Sequence, residues 1–125
     1  MNKAIGETNW VIPDGYIPPE SSGSLLSHES ICVLNCSAED ATLTISIYFE
    51  DRDPLSNITY VVPGQRTKHI RTSSLERDGE HIPTGVPYAI YIESDIPVVV
   101  QYSRLDSTQA ENALMSTMGY PVRQA

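Results

Sequence analysis

The chain has 125 residues with eight Lys and Arg against sixteen Asp and Glu, a formal charge of −8 at pH 7, and 40% hydrophobic content. That length fits one domain with a single core and is short for two, and the composition is that of a folded protein, not a disordered one. The negative charge repels polyphosphate, so nucleic-acid binding would need a local basic patch, against which the overall balance argues.

The opening MNKAIGETNW has no apolar signal-peptide core, and no apolar run approaches the ~20 residues of a membrane-spanning helix, so the cytoplasm is the expected location. NWVIP predicts a first short strand. DGYIPPESSGSLLSHES, rich in Pro, Gly and Ser, predicts a loop before a second strand in ICVLN. Cys32 and Cys36, if that segment is extended, start roughly 13 Å apart at ~3.3 Å per residue, too far for a disulfide. A metal set of His28 with the two cysteines would need a helix or a sharp turn. Buried free thiols in a reducing compartment are therefore expected.

ATLTISIYFE carries the clearest period. Leu43, Ile45, Ile47 and Phe49 face one way and Thr42, Thr44, Ser46 and Tyr48 the other, as in a half-buried antiparallel strand. The turn-forming EDRDPLS and then NITYVVP predict a hairpin partner. After the Pro63-Gly64 turn comes RTKHIR, which holds three of the chain's eight Lys and Arg and one of its three histidines. In an extended chain Thr67, His69 and Arg71 share one face while Arg66, Lys68 and Ile70 share the other. A solvated edge strand guarded by its charges and a binding motif are both consistent with this pattern.

PYAIYIES and IPVVVQYS, meeting at Ser94-Asp95, predict two adjacent central strands. Gln101, Ser103, Arg104 and Asp106 follow an apolar strand, where a rigid scaffold presents binding groups; Arg104 and Asp106 are alternatively a local ion pair. In DSTQAENALMSTMG, Asp106 and Gln109 have capping-box spacing, and both a short helix and an irregular tail fit the composition. About seven short strands argue for an all-β sandwich or barrel. No nucleophile elbow, zinc-protease helix, phosphate loop or dinucleotide fingerprint is present, so the sequence calls for no cofactor and no catalytic set. Trp10 is the sole tryptophan, either a core residue or a stacking platform for a sugar ring.

The segments Trp10-Val11-Ile12, Gly15 to Pro19, Ser27-His28-Glu29, Leu34-Asn35, Ile45 to Tyr48, Arg66 to His69, Ser94 to Pro97, Val100-Gln101, Arg104 to Ser107 and Gln109 to Leu114, taken in one register, resemble the sensory rhodopsin transducer family, with Thr108 a departure from its pattern. The resemblance implies a jelly-roll-like antiparallel β-sandwich forming a homotetramer in the cytoplasm, without enzymatic activity. For members lacking a rhodopsin it implies small-molecule binding, of a sugar or related metabolite. For the founding branch it implies signalling from a membrane photoreceptor, with a link to gene regulation. Matching polar positions are Trp10, His28, Glu29, Asn35, Arg66, Lys68, His69, Gln101, Arg104 and Asp106. In the ligand-binding reading Arg66, Lys68 and Arg104 bind oxygen atoms, His28 and His69 donate or accept, and Trp10 stacks. That reading requires Arg66 and Arg104 to converge on one concavity.

Overall fold

The computed structural model describes residues 3–19, 27–106 and 113–123. Ten strands are found there: β1 Glu7–Tyr16, β2 His28–Asn35, β3 Ala41–Phe49, β4 Leu55–Val62, β5 Arg66–Arg71, β6 Glu76–Arg77, β7 Glu80–His81, β8 Pro87–Asp106, β9 Ala113–Met118 and β10 Tyr120–Pro121. A single 3-10 turn, Thr72–Ser74, follows β5. Every pairing between strands is antiparallel. No helix among the described residues is long and apolar enough to cross a membrane.

The architecture turns on β8. Its first half lies between β1 and β3, with Tyr91 opposite both Val11 and Ser46. Its second half lies between β2 and β9, with Gln101 opposite both Cys32 and Met118. The twenty-residue strand therefore belongs to two sheets, β10-β1-β8-β3-β4 and β9-β8-β2-β5, and makes the corner between them. The two predicted segments PYAIYIES and IPVVVQYS are thus successive halves of one strand, not neighbours in a sheet. At the corner Ser94 Oγ donates to the Ile96 carbonyl at 2.6 Å, and Asp95 accepts from the Thr42 N–H at 2.8 Å. Side chains at the bend thereby satisfy backbone groups without reversing the chain.

The alternation read in ATLTISIYFE holds. Leu43, Ile45 and Ile47 are fully buried, as are Ile90 and Ile92 beside them and Ile31, Val33, Val98 and Val100 on the facing sheet. Each such side chain contributes about 1.5–3 kcal/mol relative to an exposed one. The hairpin of β3 with β4 forms as expected. Among the described residues β5 is an edge strand paired only with β2; Ile70 enters the core, while its other residues, including Arg66, Lys68 and His69, are exposed. Cys32 and Cys36 are free thiols and half-buried, less enclosed than expected.

The C-terminal segment departs from its helical composition. Ala113–Met118 is a strand on the edge of β8, with Leu114 opposite Leu105 and Ser116 opposite Ser103. Tertiary pairing overrides a local propensity that is worth only tenths of a kcal/mol per residue. The capping-box position Gln109 lies outside the described residues.

Where β2 ends, Asn35 is fully buried, and its amide joins three segments. Nδ2 donates to the carbonyls of Glu39, Val62 and Pro63 at 2.7, 3.1 and 3.3 Å, and Oδ1 accepts from the Ser37 N–H at 3.0 Å. The turn after β4 is held against the same place: the Gln65 N–H donates to the Ser37 carbonyl at 2.8 Å, and Gly64 backs so closely onto Ala38 that a Cβ would overlap its carbonyl oxygen. The Pro63-Gly64 signal thus marks a contact between two turns as well as a reversal. Replacing Asn35 with Leu strands buried carbonyls, at about 1–3 kcal/mol for each group left unpaired. Urea unfolding of Asn35→Leu is expected to show a loss of about 2–3 kcal/mol with an unchanged m-value.

Candidate functional site

The inward face of β2 reads Glu29, Ile31, Val33, Asn35, two apolar residues between two polar ones, and all four are buried. Glu29 therefore enters the core by the same alternation that buries Ile31. The facing positions of β8 are Val98, Val100, Tyr102 and Arg104, which carry the inward stripe out to the end of the sandwich.

Glu29 is the centre of a hydrogen-bond network that draws on both sheets. Its side chain has no exposed area. Arg104 Nε donates to Oε2 at 2.6 Å, the Tyr16 backbone N–H lies 3.1 and 3.0 Å from the two carboxylate oxygens, and the Tyr88 hydroxyl donates to Oε1. Tyr88 Oη also lies 3.0 Å from Thr72 Oγ1, which lies 3.3 Å from the Glu29 carbonyl, so the single threonine proton serves one of these two contacts. The Tyr102 hydroxyl accepts from Arg104 Nε at 3.2 Å. On its way to the carboxylate the Tyr88 ring passes so close to Gly15 that a Cβ there would sit 2.5 Å from Tyr88 Cζ. The glycine of the Gly15-Tyr16 pair is thus a steric requirement of the network.

The electrostatics follow from burial beside this carboxylate. Burial first, and then the Glu29 charge, push the Tyr88 phenol well above the ordinary tyrosine range. Tyr102 is raised as well, by burial and then by its hydrogen bond to Glu29. For Arg104, burial acts downward, but the Tyr102 hydroxyl and the Glu29 charge outweigh it, and the guanidinium is shifted upward.

Arg104 connects this network to open space. Its side chain keeps 21% exposure and lines a cavity of about 440 Å³ at the end of the sandwich, between β1 and β10 on one side and β8 and β9 on the other. Ile12, Tyr102, Met115, Met118 and Tyr120 give it largely apolar walls, and Asp14 adds a carboxylate.

The ten predicted positions do not form one constellation. Glu29 and Arg104 meet, as described. Asp106 continues β8 and pairs in backbone register with Ala113; its side chain lies outside the described residues. Asn35 and Arg66 are register partners at the opposite end of β2, six residues or roughly 20 Å from the Glu29–Arg104 pair at ~3.3 Å per residue. The convergence of Arg66 with Arg104 is therefore not met, and Lys68, opposite Val33 on the exposed edge strand, does not supply the link. His69 and Gln101 flank Cys32 on the outer face of the second sheet, and His28 is on that face as well. Trp10 is only 4% exposed; its indole N–H is shared between the carbonyls of Glu7 and Val98, both at 3.0 Å, so it fastens β1 to the corner of β8 with its ring in the core.

Tyr88, Tyr102, Thr72 and Asp14 are absent from the predicted set. Parity was the available signal for two of them, since Tyr102 and Arg104 continue the Val98-Val100 stripe and Tyr88 begins the Ile90-Ile92 stripe. Thr72 and Asp14 reach the site through the fold alone.

A model of the family described as Anabaena sensory rhodopsin transducer matches residues 5–121. The chain belongs to that family. Among solved structures, the Anabaena sensory rhodopsin transducer is 45% identical, with a TM-score of 0.74 over 87% of this chain and 96% of that one. The crystal structure of Thermotoga maritima 1070 is 38% identical, with a TM-score of 0.82 over 96% of this chain and 98% of that one. No curated protein matches. The family resemblance read from the sequence is thus correct, and so is the antiparallel β-sandwich it implied, whose sheets do not close into a barrel.

The raised tyrosines have a consequence for this transducer-family protein in alkali. Folded Tyr88 and Tyr102 keep their protons where the unfolded chain, with phenols near pKa 10, releases them, so the folded state binds more protons above that pH. Their contribution is complete below pH ~10 and is lost as pH rises beyond it. Urea midpoints between pH 8 and 11, on scales set by that reference pKa of about 10, are expected to fall more gently for Tyr88→Phe than for the parent.

Proposed function

We propose that this transducer-family protein is a non-enzymatic binding protein for a small metabolite, and that the cavity beside Arg104 is where the ligand sits. The observation that carries the reading is the combination of a roughly 440 Å³ concavity, apolar and tyrosine walls, and a guanidinium anchored by a fully buried carboxylate. Small-molecule sites have this composition, with apolar surface supplying contact area and a few fixed polar groups supplying orientation. A sugar or related hydroxylated metabolite suits it: tyrosine faces cover the C–H side of a ring, while Arg104 and Asp14 address hydroxyl oxygens and hydrogens respectively. The ligand set is accordingly narrower than the ten sequence-matched positions, with Arg104 in contact and Glu29 behind it as a positioning residue.

A second reading, a cytoplasmic signalling adaptor for a membrane receptor, has support of its own. Leu114, Met115, Met118 and Tyr120 are large apolar side chains left exposed along β9 and β10, Leu114 at 77%. Such a row is a feature of interaction surfaces. Leu34 on the outer face of β2 adds to the exposed apolar surface, which supports self-association into the homotetramer expected from the family resemblance.

A thermal-shift screen of sugars, sugar acids and phosphorylated metabolites separates these readings, because a ligand of the native state raises apparent stability. At about 100 Kd a ligand adds roughly 2.7 kcal/mol, equivalent to a Tm rise of several degrees for a domain of this size. The binding reading predicts at least one such shift, abolished by Met118→Trp, which fills the cavity from an exposed position. A flat response across the panel favours the adaptor.

A further inference from the structure

We propose that the ligand of this cavity is a small monocarboxylate, bound through its carboxylate by the two Nη groups of Arg104 while its far end is neutral or hydroxylated. The inference rests on the cavity being a ligand site and adds the chemical class of the ligand. A guanidinium is a rigid fork of five N–H donors, and among the described residues the Nε–H is the donor that is committed, to Glu29 and Tyr102. Among the described residues, neither Nη group has a hydrogen-bond acceptor, although Arg104 lines the cavity. The Nη pair is the edge of the fork that takes a carboxylate in two parallel bonds.

The orientation of that edge is set behind it. Glu29 has no exposed side-chain area, and its oxygens are engaged by the Tyr16 N–H, the Tyr88 hydroxyl and Arg104 Nε, so the carboxylate holds the guanidinium from the core side. The guanidinium carbon also lies 5.9 Å from the centre of the Tyr102 ring, which limits swinging. A pre-oriented fork loses little side-chain freedom when a carboxylate arrives.

Asp14 decides the rest of the ligand. It is exposed on β1 and lines the same cavity as Arg104, together with Ile12, Met115 and Tyr120. A second carboxylate on the ligand would meet like charge there, whereas a hydroxyl would find an acceptor. The cavity thus favours one anionic end and disfavours two.

Two matched six-carbon series test this by calorimetric titration: sorbitol, gluconate and glucarate, and hexanamide, hexanoate and adipate. In the series that binds, the monocarboxylate is expected to bind at least tenfold tighter than both its neutral and its dianionic counterpart. Because Arg104→Met removes the partner of a buried charge, the cavity is tested separately with Met115→Trp, expected to abolish binding while the urea midpoint stays near that of the parent. Equal or tighter binding of sorbitol or hexanamide overturns the monocarboxylate assignment and leaves the ligand-site reading standing. Tighter glucarate or adipate binding overturns the role of Asp14 and with it the proposal. Monocarboxylate binding that survives Met115→Trp places the site elsewhere. No binding by either series, with a flat screen of neutral sugars and phosphorylated metabolites, removes both the proposal and the reading beneath it.

Discussion

A carboxylate inside an apolar sandwich is tolerable only if other groups replace its lost water, and Glu29 sets that condition for one whole end of this protein. Its side chain is fully enclosed, so its donors must come from the protein. They come from β1 through the Tyr16 N–H, from the first half of β8 through Tyr88, and from the second half of β8 through Arg104. The two halves of β8 lie in different sheets, so the carboxylate is bonded to both layers. Gly15 is fixed by the same demand, because a side chain there would displace the Tyr88 ring. Asn35 does the corresponding task six residues along, tying the end of β2 to the turn after β4. The apolar core is thus enclosed lengthwise by two polar clamps on one strand.

These clamps separate stability from recognition within a single side chain. Arg104 gives Nε to Glu29 and also lines the cavity, so the interaction that neutralises Glu29 also restrains the side chain that a ligand would meet. This arrangement meets a general requirement of binding sites, that contact groups be held by a supporting layer of hydrogen bonds. It also explains why Glu29 and Arg104 both look like site residues while only Arg104 lines the open space.

Much of the sandwich was legible because alternation is a local property. ATLTISIYFE gave its buried face correctly, whereas RTKHIR left an edge strand and a binding motif both open, and the fold makes it a charged edge strand with Ile70 turned inward. Glu29 and Asn35 share parity with Ile31 and Val33, a signal of buried polar groups that was passed over because residue type alone suggested binding for both. What alternation cannot convey is which strand halves belong together. PYAIYIES and IPVVVQYS read as two strands because the bend at Ser94 to Pro97 resembles a reversal, and only pairing with β1, β3, β2 and β9 reveals a corner. The grouping of Arg66 with Arg104 failed for the same reason, since similar chemistry was placed at opposite ends of β2 by register. Trp10 read as either a core residue or a stacking platform, and its place in the core depends on how β1 crosses the corner of β8.

The coupling between Glu29 and Arg104 is the most direct test of this account. A double-mutant cycle with Glu29→Gln, Arg104→Met and the pair, followed by urea unfolding at neutral pH, isolates it. The predicted result is that the double variant is more stable than the sum of the single losses allows, with an interaction energy of at least about 1 kcal/mol, because each single change leaves the other partner uncompensated. Losses that add to within about 0.3–0.5 kcal/mol would show that the two side chains act independently and would contradict the claim that Glu29 holds Arg104 in place.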